Sequence, residues 1–324
     1  MLPFTARGQR QGDSRMLNIL YEDNAVLVVW KPVGMESQSG RGFDADMVSE
    51  IKRYLSTKKA GDNHNLSTKV PEPYVGVIHR LDKPVSGVMV YAKTKDAAGA
   101  LSKQVSEGKM HKKYLTVLCG KPVDNVEKYV DYLLKDEKEN KSRIVDMGIT
   151  GGKRAELICR TVETKTIEPY GELTLAEIEL LTGRHHQIRV QMSGHGTPIW
   201  GDNRYNPAFQ AGNQAGVKVA DQIAGNRQQA SAPDAVRGSE AVGQNAGSGQ
   251  AAVQNAGDSR PAGFRRRPGL AARCARAPKA DVALAAFELT FTHPVTGESM
   301  TFRHEPSGGI FRQFEDAIRN LIKK

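Results

Sequence analysis

Short strand-like segments joined by tight turns dominate the patterned parts of this chain, and they restrict the folds that it can adopt. Residues 18–21 and 25–30 read as two strands joined by a turn. Residues 153–164 and 172–180 alternate between apolar and polar side chains and read as a second pair. Because the regular strand–helix alternation of parallel sheets is absent, we predict an α+β fold with a largely antiparallel sheet.

Helical spacing of apolar residues occurs in fewer places. Residues 44–56, 96–105 and 309–322 each have an apolar side at helical spacing and are predicted helices. Residues 57–73 are polar and contain two prolines, so we expect a loop there. Residues 135–143 are highly charged and fit a hairpin tip or an exposed loop.

The composition changes abruptly at residues 207–280. Ala, Gly, Gln, Asn, Ser and Arg dominate this stretch, and apolar residues are sparse. Such a segment cannot bury enough surface to offset chain entropy, so we predict a disordered insertion. It contains ten of the 46 Lys and Arg residues and four of the 36 Asp and Glu residues, which leaves +4 of the formal net charge of +10 for the rest. Any nucleic-acid-binding face therefore needs local clustering of cations.

The remaining pattern predicts one folded domain made of residues 16–206 and 281–324, with residues 1–15 as a disordered lead. Met16 directly precedes the first patterned segment and is an alternative start to Met1. No apolar run approaches the roughly 18 residues of a membrane span. The three cysteines are odd in number and widely spaced, so they form neither a disulfide framework nor a metal pattern, and we expect a cytoplasmic protein. They are Cys119, Cys159 and Cys274.

Asp82 is the first candidate for chemistry. It lies between Arg80 and Lys83 at the end of a strand-rich segment. Nearby positive charge favours the ionised form of a carboxyl group, and an ionised, immobilised Asp can act as a nucleophile or a base. An Asp before Lys-Pro is also a common turn or cap residue, so the residue type alone leaves both interpretations open.

A second polar cluster spans residues 182–189, where a helix is predicted to begin near Arg184 or His185. A metal site is one alternative, but adjacent histidines on a helix point about 100° apart and rarely share a metal. An ordinary basic helix start is another, although a cation in the first turn opposes the helix dipole. Arg184 fits better if an anion approaches, such as a phosphate or Asp82.

Lys112 and Tyr114 form a third candidate pair, because strand alternation puts them on one face. A Tyr in a strand is commonly a core residue, but a cation beside an aromatic ring also suits RNA, whose bases stack on such rings. The chain contains no Gly-rich phosphate-binding loop, so we expect no nucleotide cofactor.

Four blocks of this sequence resemble the signature motifs of the RluA family of pseudouridine synthases, and residues 19–32 resemble the start of that family. The resemblance runs from about Leu17 to Phe302 and is interrupted by the low-complexity stretch. It implies the pseudouridine synthase fold, a long mixed, mainly antiparallel sheet with flanking helices and a central cleft. Because few residues precede Leu17, we expect no small N-terminal RNA-binding domain of the kind that the family often has. The four blocks are residues 79–82, 112–114, 182–190 and 293–298.

The resemblance also implies an activity. The family isomerises uridine in RNA to pseudouridine, without cofactor or metal, after flipping the nucleotide out of its stack. By position, Asp82 resembles the catalytic aspartate, Arg189 the arginine that clamps it, and Tyr114 the tyrosine that lies against the base. Arg80 resembles the residue that enters the RNA stack. The residues predicted to bind RNA are Arg80, Lys83, Lys112, Arg184, His186 and Gln187.

We therefore expect a monomeric RNA pseudouridine synthase whose partner is ribosomal or transfer RNA. One alternative is a catalytically silent RNA-binding or ribosome-assembly protein on the same fold. A metal-dependent phosphodiesterase is disfavoured, because clustered carboxylates are missing from the sequence. The chain departs from the family pattern at Trp30, Gln191 and Ala285, none of which is a proposed catalytic group.

Overall fold

A computed structural model describes residues 17–38, 45–62, 71–210 and 280–323. These residues belong to one compact unit. The predicted lead, Cys274 and residues 211–279 of the predicted insertion lie outside the described residues.

The eleven strands of the described residues form one sheet, in the order β1-β2-β4-β10-β5-β9-β8-β6-β7, with β3 paired to β4 and β11 to β10. Neighbouring described strands run antiparallel, except that β4 and β10 are parallel. The predicted α+β class with a mixed, mainly antiparallel sheet is thereby confirmed. The strands are β1 (Asn18–Glu22), β2 (Val26–Lys31), β3 (Gly76–Val77), β4 (Ser86–Ala92), β5 (His111–Cys119), β6 (Val126–Asp136), β7 (Lys141–Val145), β8 (Lys153–Ile167), β9 (Gly171–Leu180), β10 (Leu284–Thr292) and β11 (Ser299–Arg303).

Helices flank this sheet, and three of their predicted boundaries were wrong. The first helix continues to Asp62, into the predicted loop. The segment at 309–322 is a 3-10 helix over Gly309–Phe314 followed by an α-helix. The third helix begins at Gln187, after the predicted start. The α-helices are α1 (Met47–Asp62), α2 (Lys95–Ser106), α3 (Gln187–Gly194) and α4 (Glu315–Ile322). None of the described helices is long and apolar enough to span a bilayer.

The predicted start of the insertion at residue 207 was placed too early. Pro207–Phe209 form a 3-10 helix that Asn206 caps by accepting a hydrogen bond from the Ala208 amide. Phe209 is buried against Trp200, with ring centroids 4.9 Å apart. The buried Phe209 ring packs this short turn against the hydrophobic core.

The parallel contact between β4 and β10 aligns the side chains that form the site. Gly87 pairs with Lys31 on one side and with Ala286 on the other, and Ala286 pairs with Tyr114. A Cβ atom on Gly87 would lie 2.5 Å from the Cβ of Ala286, so glycine is required at this crossing. Lys31 and Tyr114 consequently share one face of the sheet, since directly paired residues point to the same side.

The block at 293–298 is a turn that closes the β10–β11 hairpin. The His293 ring is buried, and its Nδ1 accepts a hydrogen bond from the Thr296 amide. Its Nε2 lies 2.8 Å from Oδ2 of Asp23, which is in the β1–β2 turn. This signature block therefore ties two turns together and contributes to the fold.

Candidate active site

Asp82 lies in the irregular segment between β3 and β4. Leu81 beside it is buried, and its amide and carbonyl both hydrogen-bond to the Ser37 hydroxyl, at 2.9 and 2.8 Å. The Asp82 carbonyl accepts a hydrogen bond from the Val85 amide, which forms a turn. The Asp82 side chain is 29% exposed. Both interpretations of Asp82 are therefore compatible, since its backbone forms a turn and its carboxylate is partly exposed.

Arg189, in the first turn of α3, reaches this carboxylate. Its Nη1 donates to Oδ2 of Asp82 at 3.1 Å. Its Nε and Nη2 donate to the two carboxylate oxygens of Asp202, at 2.7 and 2.8 Å. The paired bonds of Arg189 therefore go to Asp202, and a single bond goes to Asp82.

The pair formed by Arg189 and Asp202 is almost inaccessible to solvent, with side chains 3% and 1% exposed. Burial works against the charged guanidinium, but hydrogen bonds to Asp202 and the charges of Asp202 and Asp82 outweigh it and raise the pKa of Arg189. Arg189 is consequently a permanent cation whose direction Asp202 sets.

Sequence reasoning missed Asp202. It follows Gly201 in a turn, where an Asp is ordinary. Its Oδ1 also accepts hydrogen bonds from the Arg204 and Tyr205 amides, at 3.0 and 3.2 Å. A signal in the sequence would have been the apolar residues Ile199 and Trp200 just before it, which bury the turn.

His186 is the second group beside the carboxylate. Its Nε2 lies 3.5 Å from Oδ2 of Asp82, and its Nδ1 lies 2.8 Å from the hydroxyl of Tyr205. Burial lowers the pKa of His186 to about 4, although the charge of Asp82 opposes this shift. The imidazole is therefore neutral at physiological pH.

Tyr114 and Lys31 lie on the same face of the sheet. Tyr114 is buried, and burial together with the charge of Asp82 raises the pKa of its hydroxyl. Lys31 is fully buried and donates to the carbonyls of Pro32, Met35 and Lys83. Burial lowers the pKa of Lys31 to about 8, against the opposing charges of Asp82 and Glu36. Sequence reasoning did not single out Lys31 as a site residue.

Three predicted RNA-binding side chains lie in different surroundings. Arg80 is exposed and makes no hydrogen bond or ion pair with the described residues. Lys83 is 48% exposed and lies 3.7 Å from a carboxylate oxygen of Glu36. Lys112 is half-buried, and burial lowers its pKa to about 8.

The positions of Arg184 and Gln187 require corrections. Arg184 precedes α3, so it does not oppose the dipole of the helix from its first turn; its Nε donates to the Arg154 carbonyl at 2.8 Å. Gln187 is 3% exposed. It accepts from the Thr182 hydroxyl and the Arg184 amide and donates to the Glu156 carbonyl, which argues against RNA contact and for a role in anchoring α3.

The Asp82 carboxylate is thus held on one oxygen and open on the other. Arg189 and His186 both face Oδ2, whereas Oδ1 makes no hydrogen bond with the described residues. A partly exposed carboxylate with one bound oxygen and one open oxygen can act as a nucleophile or a base. Within the described ranges, no three side chains of the metal-binding types come together.

Comparison with known proteins places this chain in a family. Residues 25–194 match the family model described as RNA pseudouridylate synthase. Ribosomal large subunit pseudouridine synthase D of Zymomonas mobilis is 32% identical over 196 residues, which cover 60% of this chain and 57% of that protein. Synthase D of Xanthomonas campestris is 33% identical over 217 residues, covering 66% of this chain and 59% of the relative. Synthase C of Escherichia coli K12 is 32% identical over 187 residues, which cover 58% of this chain and 52% of that protein.

The chain therefore spans between half and three-fifths of the length of these curated relatives. Among solved structures, human RNA pseudouridylate synthase domain containing 4 is similar in fold, with a TM-score of 0.55 at 19% identity over 94% of this chain and 93% of that one. Human RNA pseudouridylate synthase domain containing 1 has a TM-score of 0.52 at 18% identity, over 96% of this chain and 98% of that one. The resemblance to the RluA family is confirmed, and the chain belongs to the RNA pseudouridylate synthase family.

Proposed function

We propose that this protein isomerises specific uridines in structured RNA to pseudouridine, with Asp82 as the essential catalytic residue. The observation that supports this most directly is the Asp82 carboxylate, held on Oδ2 by Arg189 and open on Oδ1. The reaction needs an ionised group beside the ribose, because the bond from the sugar to the uracil nitrogen must break. Asp82 supplies that group as a nucleophile or a base.

The other side chains support the remaining steps. The detached uracil must turn and stay in place until its carbon bonds to the sugar, so a flat aromatic wall is useful. Tyr114 supplies such a wall on the same face as Lys31. The hydrogen on carbon 5 of uracil leaves when the new bond forms, which makes its release a direct measure of turnover.

RNA is the proposed partner, because the target atoms are hidden in a stacked strand and the nucleotide must leave the stack. Arg80 is an exposed planar cation two residues from Asp82 and is suited to fill the gap. Arg184 is exposed close to His186, and Lys141 lies 5.8 Å from the centre of the Tyr205 ring. These cations provide local positive charge for phosphate.

The relatives are named ribosomal large subunit pseudouridine synthases, so we infer that ribosomal RNA is the substrate. A cytoplasmic location and a monomeric state are part of the same proposal. The buried positions of Cys119 and Cys159 fit a reducing compartment.

The decisive experiment measures tritium release from ribosomal RNA that carries uridine labelled on carbon 5. Wild-type protein should release tritium, and Asp82→Asn should release none while binding RNA with near-normal affinity. Asp146→Asn is the matched control, because it makes the same chemical change at an exposed position. Turnover by Asp82→Asn would refute the proposal. RNA binding without any release by the wild type would favour the catalytically silent alternative.

A further inference from the structure

Two residues outside the Asp82–Arg189 pair form a continuous line of polar contacts that ends on the carboxylate. The Ser142 amide donates to the Tyr205 hydroxyl at 2.8 Å. That hydroxyl lies 2.8 Å from Nδ1 of His186, and Nε2 of His186 lies 3.5 Å from Oδ2 of Asp82. The line thus runs from β7 to Asp82 through Tyr205 and His186.

The direction of these contacts favours one imidazole tautomer. The Tyr205 oxygen accepts the Ser142 amide hydrogen, so its own hydrogen is free to point at Nδ1 of His186. An Nδ1 that accepts leaves the ring hydrogen on Nε2, the nitrogen that faces Asp82. Neutral His186 therefore presents an N–H group to a carboxylate oxygen.

The backbone of His186 is held in an unusual conformation that aims the ring this way. It has φ 54° and ψ 24°, in the left-handed region, at the position before α3, and its side chain makes no capping hydrogen bond. Such a conformation is uncommon for a residue other than glycine, although Asn, Asp and His adopt it more readily than other types, and it persists where the surroundings support it. The ring of His185 stacks on His186 with centroids 3.7 Å apart, and His185 is fixed by the Ser142 hydroxyl at 2.9 Å.

We propose that His186 is a positioning residue for Asp82 and that Tyr205 acts through it by fixing the tautomer. This inference rests on the proposed function. His186 and Arg189 restrain the same carboxylate oxygen from two directions, which keeps the other oxygen directed at the ribose. Sequence reasoning placed His186 among the RNA contacts and did not single out Tyr205.

The first test compares two amides at position 186 by tritium release. The amide nitrogen of glutamine extends to about the place of Nε2, whereas that of asparagine lies near Nδ1. If His186 positions Asp82 through its Nε2 hydrogen, His186→Gln should keep more activity than His186→Asn. The kcat of His186→Asn should fall about 10- to 100-fold with little change in KM. A purely structural role of the left-handed backbone predicts the opposite order, because asparagine tolerates that conformation better than glutamine.

The second test removes the Tyr205 hydroxyl. Tyr205→Phe should lower kcat about tenfold with little change in KM. Tyr129→Phe is the matched control, since it removes another hydroxyl of a buried tyrosine, bonded to Glu127 at 2.7 Å, away from Asp82. Thermal unfolding of each variant confirms that it is folded.

A third readout is independent of activity. Nitrogen NMR of the histidine-labelled protein should show His186 with its hydrogen on Nε2, and Tyr205→Phe should change the tautomer mixture. Asparagine equal to or better than glutamine at position 186, an unchanged kcat in Tyr205→Phe, or a hydrogen on Nδ1 in the wild type would each overturn the inference. Absence of turnover in the wild type together with the expected tautomer would instead refute the proposed function.

Discussion

Asp202→Asn is the substitution that tests the architecture of the site most sharply. The Asp202 carboxylate is fully buried and accepts both hydrogen bonds of the bidentate pair with Arg189. An amide has nearly the same shape but only one accepting oxygen. Its NH2 group would face an N–H donor of Arg189, or the amides of Arg204 and Tyr205 after rotation. The variant therefore loses charge and bonds while the volume is preserved.

The expected cost follows from what is left behind. Arg189 would remain buried with one hydrogen bond to the amide oxygen at position 202 and one to the partly exposed Asp82, and without the buried negative charge. Removing one partner of a buried ion pair costs about 3–5 kcal/mol, because the remaining charge stays desolvated. That is a large part of the 5–15 kcal/mol by which a typical protein is stable. Because Arg189 also aims Asp82, turnover should fall as well.

Urea unfolding followed by tryptophan fluorescence measures the loss, since Trp200 lies two residues from the substitution. The free energy of unfolding of Asp202→Asn should decrease by about 3–5 kcal/mol relative to Asp146→Asn, the exposed control. Without urea, where both proteins are folded, tritium release by Asp202→Asn should also be lower than that by Asp146→Asn. A decrease below about 1 kcal/mol with unchanged kcat would refute the reasoning, because it would mean that Asp202 neither compensates nor directs Arg189.

Three further predictions concern the fold around the site. Gly201 has φ +76°, and an added Cβ would lie 2.0 Å from the Asp281 carbonyl oxygen, so Gly201→Ala should destabilise the protein by about 2–4 kcal/mol. Gly99→Ala, in α2 with nothing within 4 Å, should instead stabilise it by about 0.5–1 kcal/mol, and thermal unfolding separates the two. Burial works against ionisation of Glu22, but hydrogen bonds from Lys93, Tyr54 and Lys58 lower its pKa to about 2. The contribution of ionised Glu22 to stability is therefore present above about pH 4.5 and lost as the pH falls towards 2. In urea unfolding, Glu22→Gln should lower the free energy of unfolding by roughly 1–2 kcal/mol at pH 7 and have little effect near pH 2. Burial lowers the pKa of Lys31 from 10.5 to about 8, so the unfolded state binds more protons than the folded state between these pH values. The free energy of unfolding should therefore rise with pH in this range. Lys31→Met should flatten the rise, and an unchanged slope in that variant would contradict the prediction.

Local patterns in the sequence were sufficient for the elements that depend on nearest neighbours. The alternation in residues 153–164 and 172–180 predicted β8 and β9, which pair antiparallel. The charged stretch at 135–143 predicted the β6–β7 turn. Element ends were less predictable, as the extension of α1 to Asp62 shows, because they depend on contacts made after the chain has folded.

The motif residues were also visible in the sequence, and their resemblance to a known family carried the fold class. Their partners were not visible. Asp202 and Tyr205 have ordinary turn and core residue types, and neither stands out until Arg189 and His186 are seen to point at them. The residue type of a buried hydrogen-bond partner is not itself a signal, and only its buried neighbours, such as Ile199 and Trp200 before Asp202, point to it.

Sequence alone therefore predicted many of the strands and helices, since side-chain periodicity reports on which face is buried. Tertiary structure decided the rest. It places Arg189 beside Asp82, 107 residues away in the chain, with a single hydrogen bond between them. It also directs the bidentate hydrogen bonds of Arg189 to Asp202. Contacts between residues so far apart in the chain depend on how the whole sheet is assembled, and no local pattern encodes that geometry.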